Sequence, residues 1–125
     1  VNILGSTKNQ LIVGSRFYGV FIYDGKSWTN YNTESGLTNN TIISIDAISD
    51  DCIWVATENG ISRFDGERWS NNIFPVEMNM DFEGGNIRHS SDGAIWINKS
   101  DRGWKTMAFS HNKRQQRFYK NYITQ

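Results

Sequence analysis

Short apolar runs alternate with polar turns along most of this chain. The stretch from Gly36 to Trp69 shows the pattern best. A turn, Gly36-Leu37-Thr38-Asn39-Asn40, leads into an alternating run at Ile43, Ile45 and Ala47. The polar turn Ser49-Asp50-Asp51 follows, then a second apolar run, Ile53-Trp54-Val55-Ala56-Thr57. Glu58-Asn59-Gly60 turns the chain into a third run ending at Phe64, Asp65-Gly66 turns it again, and Trp69 opens a fourth. Period-two runs between Gly, Asn and Asp turns predict four short strands in a meander, about one propeller blade.

The same text recurs on both sides. Tyr23-Asp24-Gly25-Lys26-Ser27-Trp28 matches Phe64-Asp65-Gly66-Glu67-Arg68-Trp69, and Leu11 to Ser15 matches Ile53 to Thr57. Downstream, Ser91-Asp92-Gly93-Ala94-Ile95-Trp96-Ile97 matches Ser49 to Val55. Trp28 stands 41 residues before Trp69, and Trp54 stands 42 before Trp96. A period in this range with four strands per unit predicts a β-propeller architecture.

Read in that phase, the chain is all-β, with three four-stranded antiparallel blades of a partial ring. Blade one covers about residues 1–31, blade two about 41–72 and blade three about 86–122, with the pattern diverging after 98. The connection 32–40 is rich in Asn, Thr, Ser and Gly and reads as surface. The connection 73–85 is longer; it holds the only proline, Pro75, with Met78, Met80 and Phe82 among three acids, and reads as a lid or a partner contact. The last dozen residues read as an edge strand or, alternatively, a helix.

The order Gly-Leu-x-x-Asn, then Asp-x-x-Ile-Trp-Val-x-Thr, then Gly-Ile-x-Arg-Phe-Asp-Gly-x-x-Trp resembles the two-component regulator propeller repeat. The resemblance covers about residues 1–98, best in the middle unit. It implies a fold and a broad role: part of a periplasmic or extracellular sensor region of a bacterial hybrid histidine kinase, with any kinase activity outside this chain. It does not imply a ligand.

Composition narrows the classes. With 13 basic and 13 acidic residues the net charge is zero, so nothing points to nucleic acid or an anionic membrane surface. No apolar run reaches the length of a membrane-spanning helix, so membrane insertion within this chain is not expected. The single cysteine, Cys52, reads as a small buried apolar residue. Trp28, Trp54, Trp69 and Trp96 recur at repeat positions and are expected in the core.

Candidate chemistry is sparse. No nucleophile elbow, zinc-binding helix motif, phosphate loop or Cys/His cluster occurs, so no enzyme activity, cofactor or metal is expected. His89 and His111 fall at different blade positions, and Asp50-Asp51 offers too few oxygens for calcium. Binding is the more plausible work. In a four-stranded blade the turns between strands two and three share a rim with the connections to the next blade. That rim would carry Arg16, Phe17, Tyr18, Asn39, Asn40, Glu58, Asn59, Asp101, Arg102 and Trp104. Aromatic rings beside Asn, Asp and Arg suit an oligosaccharide, through stacking and hydrogen bonds to hydroxyls. Competing structural roles are turn capping by Asn39 and Asn40 and packing of Phe17 and Tyr18. The expected partners are an oligosaccharide, other blades or copies of this chain. The rival readings are an oligomeric lectin-like propeller, a purely structural segment and a glycan-degrading enzyme.

Overall fold

In the computed structural model, the backbone is described for residues 3–71, 86–91, 94–101, 105–112 and 117–124, with side chains for 3–71, 87–91, 95 and 96. The first sheet is built from β1 (Ile3–Ser6), β2 (Leu11–Gly14), β3 (Val20–Tyr23) and β4 (Trp28–Tyr31). The second holds β5 (Ile42–Ser49), β6 (Cys52–Thr57), β7 (Gly60–Phe64) and β8 (Trp69–Asn71). The third holds β9 (Asn86–His89), β10 (Ala94–Asp101), β11 (Lys105–Asn112) and β12 (Arg117–Thr124). Each sheet runs in chain order with every neighbouring pair antiparallel. Four-stranded meanders of this kind are compatible with propeller blades. The first strands of the three sheets stand side by side, β5 between β1 and β9.

The repeated Asp-Gly turns explain why the strands end where they do. The Asp24 carboxylate accepts from the backbone N–H of Lys26 and Ser27, and Asp65 does the same for Glu67 and Arg68. Gly25 and Gly66 follow with φ of 99° and 102°. The aspartate supplies the hydrogen bonds and the glycine the left-handed backbone, so one dipeptide closes each β3–β4-type hairpin. These contacts hold both carboxyls below their ordinary value of 3.8.

Two cores lie between the sheets. On the first sheet, Ile12, Val20 and Ile22 face Ile45, Ile53, Val55 and Phe64 of the second, with Leu37 and Ile42 sealing one end. On its other side the second sheet offers Cys52, Trp54, Ala56 and Ile61, covered by Ile87 and Ile95 of the third. Glycine makes the first seam close: a Cβ on Gly5 would lie 2.8 Å from Ile45 Cγ2, and one on Gly14 would lie 2.5 Å from Ile42 Cγ2. The second seam is partly polar. The Ile87 N–H donates to Ser44 Oγ at 3.1 Å, and His89 Nδ1 lies 2.9 Å from both carboxylate oxygens of Asp46.

Three expectations need correction. The alternating pattern of the middle unit implies strands half-buried, with one face in the core and one outside it. Instead, all six residues of β6 are buried, because sheets cover it from both sides. Four tryptophans were expected in the core. Trp54 is buried and Trp69 half-buried, but Trp28 is 52% exposed and Trp96 40% exposed. Neither ring belongs to the two cores between the sheets. Finally, β10 extends to Asp101, so the strand continues four residues past the expected Ile97. The carboxyl end is strand, β12, rather than the helical alternative.

Candidate functional site

In an antiparallel meander the β2–β3 turn, the β6–β7 turn and the connection 32–41 lie at one rim. The Ser15–Gly19 turn is built by its own backbone. Ser15 N–H donates to Gly19 O, Ser15 Oγ donates to the same carbonyl, and Tyr18 N–H donates to Ser15 Oγ. Gly19 has φ of 81°, and a Cβ there would lie 2.2 Å from the Tyr31 carbonyl oxygen. Only glycine fits that bend.

The turn is also tied to its neighbours. Gly19 N–H donates to Asn40 O, Ile42 N–H donates to Ser15 O, and Asn30 Nδ2 donates to Tyr18 O at 2.8 Å. What projects from this braced loop is apolar and wide: Phe17 is 67% exposed and Tyr18 68% exposed. The Arg16 guanidinium stands 5.6 Å from the centre of the Phe17 ring, within range of a cation–π contact.

The connection beside it is equally ordered. Asn32 caps a short 3₁₀ turn, Thr33–Ser35, accepting from Glu34 N–H while Ser35 Oγ accepts from Asn32 N–H. Asn40 Oδ1 accepts from Thr33 N–H and Asn39 Oδ1 from Thr41 N–H. The side-chain oxygens of both asparagines therefore shape the loop. Thr38 N–H donates to Ser62 Oγ, Thr38 and Thr57 hydroxyls meet at 2.9 Å, and Asn71 Nδ2 donates to Gly36 O. These bonds clamp the connection onto the second sheet.

At the β6–β7 turn, Glu58 and Asn59 are exposed. Their backbones are fixed by Glu58 N–H to Thr41 O and Asn59 N–H to Thr57 Oγ1. Backbone bonds thus join the turn of Arg16, Phe17 and Tyr18 to Asn40, through Gly19 N–H, and the Glu58–Asn59 turn to Thr41. Asp101 closes β10. Arg102 and Trp104 lie outside the described residues, as does the connection 72–85.

The opposite rim holds a feature that sequence reasoning missed. An open cleft there is lined by Lys8, Asn9, Gln10, Ile48 to Asp51 and Gly66. Asp50 joins two sheets across it, accepting from Thr7 Oγ1 and, at 2.7 Å, from Asn9 Nδ2. Those bonds hold the Asp50 carboxyl below its ordinary value. The available signal was spacing. Thr7 to Asp50, Ser44 to Ile87 and Asp46 to His89 are each 43 residues apart, one or two more than the repeat, so positions just off equivalence meet across the seams. Among the described residues, no group of three or more His, Cys, Asp or Glu side chains is arranged to hold a metal ion.

No family model and no curated protein sequence matches the chain. Solved structures do. Two structures of the extracellular domain of BT4673 from B. thetaiotaomicron superpose with TM-scores of 0.73 and 0.71, at 22% and 21% identity. That protein is described provisionally as a one component system in one case and a hybrid two component system in the other. The alignments cover 94% and 93% of this chain but 16% of each neighbour. Nearly the whole of this chain therefore takes a fold found within a much longer extracellular domain.

Proposed function

We propose that this chain is a non-catalytic, sensor-type recognition module, made of propeller blades and working outside the cytoplasm. It binds a carbohydrate, or a partner domain of similar polarity, through the rim that carries Arg16, Phe17 and Tyr18. The observation that carries the proposal is the pairing of two wide-open aromatic rings with a backbone fixed by at least five hydrogen bonds. Flat rings stack on the C–H faces of sugars, and a loop already rigid loses little freedom on binding. Asn59 and Glu58 stand nearby as hydrogen-bonding partners for hydroxyls. Support for the sensor role and the location comes from the fold shared with the extracellular domain of a signalling protein.

The test is a titration of the chain with a panel of soluble oligosaccharides, following the ring resonances of Phe17 and Tyr18 by NMR. At least one glycan class is expected to shift both rings. Phe17→Ala and Tyr18→Ala should each weaken that binding about tenfold, equivalent to roughly 1.4 kcal/mol. Rings unmoved at millimolar glycan, or affinity unchanged in both variants, would refute the carbohydrate reading.

A further inference from the structure

Asparagine side chains hold much of this molecule together. Asn9 donates to the Asp50 carboxylate, Asn30 to the Tyr18 and Val20 carbonyls, and Asn71 to the Gly36 carbonyl. Asn32, Asn39 and Asn40 accept from backbone N–H groups of their own loop. Among the residues with described side chains, Asn59 is the exception. It is exposed, and only its backbone is bonded, its N–H donating to Thr57 Oγ1 at 3.1 Å. Its side-chain amide makes no hydrogen bond to any described residue.

The residue that follows is Gly60. The space a Cβ would fill there holds no atom within 4 Å. With no side chain on the next residue, its backbone nitrogen meets the least hindrance in approaching the asparagine side-chain carbonyl. The place in the fold adds to this. Glu58 and Asn59 are the two residues between β6 and β7, so the pair sits at the tip of a hairpin. Thr57 Oγ1 holds that tip, accepting from Asn59 N–H and donating to Gly60 O. These bonds have to open before a ring can close, and local opening at a hairpin tip costs far less than unfolding the sheet.

We propose that Asn59–Gly60 is a site of spontaneous covalent modification in the folded protein, converted by deamidation to aspartyl and isoaspartyl forms. The Gly60 backbone nitrogen bonds to Asn59 Cγ and gives up its proton. The Cγ–Nδ2 bond breaks, and Nδ2 leaves with that proton as ammonia. Water then opens the cyclic imide in one of two ways. Cleavage at Cγ restores the ordinary backbone with an aspartate side chain. Cleavage at the main-chain carbonyl carbon leaves the backbone running through Cβ and Cγ, one atom longer, with the carboxylate on Cα. Water is the only co-reactant. Either product sets a second carboxylate next to Glu58 on the rim. The inference stands on the turn alone and is independent of what the rim binds.

The test incubates the folded chain at neutral pH, well below its melting transition, and follows it by peptide mass spectrometry. The peptide holding Asn59 should gain about one mass unit, at least roughly tenfold faster than those holding Asn9, Asn30 or Asn71. Two products should separate by chromatography, and Asn59→Gln should remove the fast conversion. Because the opening is local, the rate should stay flat in urea too dilute to unfold the chain. Conversion first at another asparagine would overturn the inference. So would conversion at Asn59 that rises in step with the unfolded fraction, since the fold would then be protecting the pair.

Discussion

Trp28 and Trp69 sit in nearly the same words, Asp-Gly-Lys-Ser-Trp and Asp-Gly-Glu-Arg-Trp, and stack on their own sheets in the same way. One is half-buried under Tyr31 and the other open. Burial of a repeat residue is set by the neighbouring unit, which the local text does not contain, so the tryptophan pattern reveals the strand and not its cover. Gly19 is the contrary case. Its need for a left-handed backbone is local, and glycine at a turn is readable from sequence. Gly19→Ala is expected to cost about 2 kcal/mol or more, combining φ strain with a clash on the Tyr31 carbonyl. Urea unfolding measures it, and a loss within experimental error would show that the turn can relax. Trp54→Ala should be the costliest of the tryptophan truncations, about 3–5 kcal/mol, since its ring is buried between two sheets. The same urea titration on that variant reports it.

At the level of strands and turns, more of the molecule was legible. Asp-Gly turns, alternating runs and the period anticipated the four-stranded meanders of the first two sheets, because hairpin chemistry is local; in the third, where the pattern diverges after 98, the end of β10 and the bounds of β11 and β12 were not placed by it. The missed features are bonds between elements one repeat apart, such as Thr7 and Asn9 to Asp50. The candidate rim was readable as a set of loop residues, but not the bracing of Phe17 and Tyr18 by Ser15, Gly19 and Asn40. Thr57 braces the neighbouring β6–β7 turn in a similar way. It is fully buried, donates to Gly60 O, accepts from Asn59 N–H and meets the Thr38 hydroxyl. Thr57→Val keeps the shape but strands those partners, and should cost about 1–3 kcal/mol by chemical denaturation. Acid stability belongs to the hairpins too. Asp24, Asp50 and Asp65 all have folded values below 3.8, so what they contribute is fully present above that pH. It is lost as pH falls through their lower folded values. The urea midpoint should therefore be flat at neutral pH and drop in that acid window, with a shallower drop in Asp50→Asn.

Across the whole molecule, the two seams differ in kind. The first packs glycine against isoleucine, with its polar bonds from Thr7 and Asn9 to Asp50 out at the rim; the second sets Ser44–Ile87 and Asp46–His89 beside a smaller apolar core. His89→Ala should therefore loosen the third sheet selectively. Hydrogen exchange is expected to rise in β9 and β10 by an amount matching about 0.5–1 kcal/mol, with β2 and β3 unchanged. A uniform rise across all three sheets would show instead that the stack opens as one unit. Cys52 gives this seam a built-in probe. Its thiol is free, buried, and sits beside Trp54 in the core that the third sheet closes. A thiol-modifying reagent can reach it only while those two layers are parted, so the labelling half-life is a clock for how often they separate, and any ligand that holds the stack together should slow that clock.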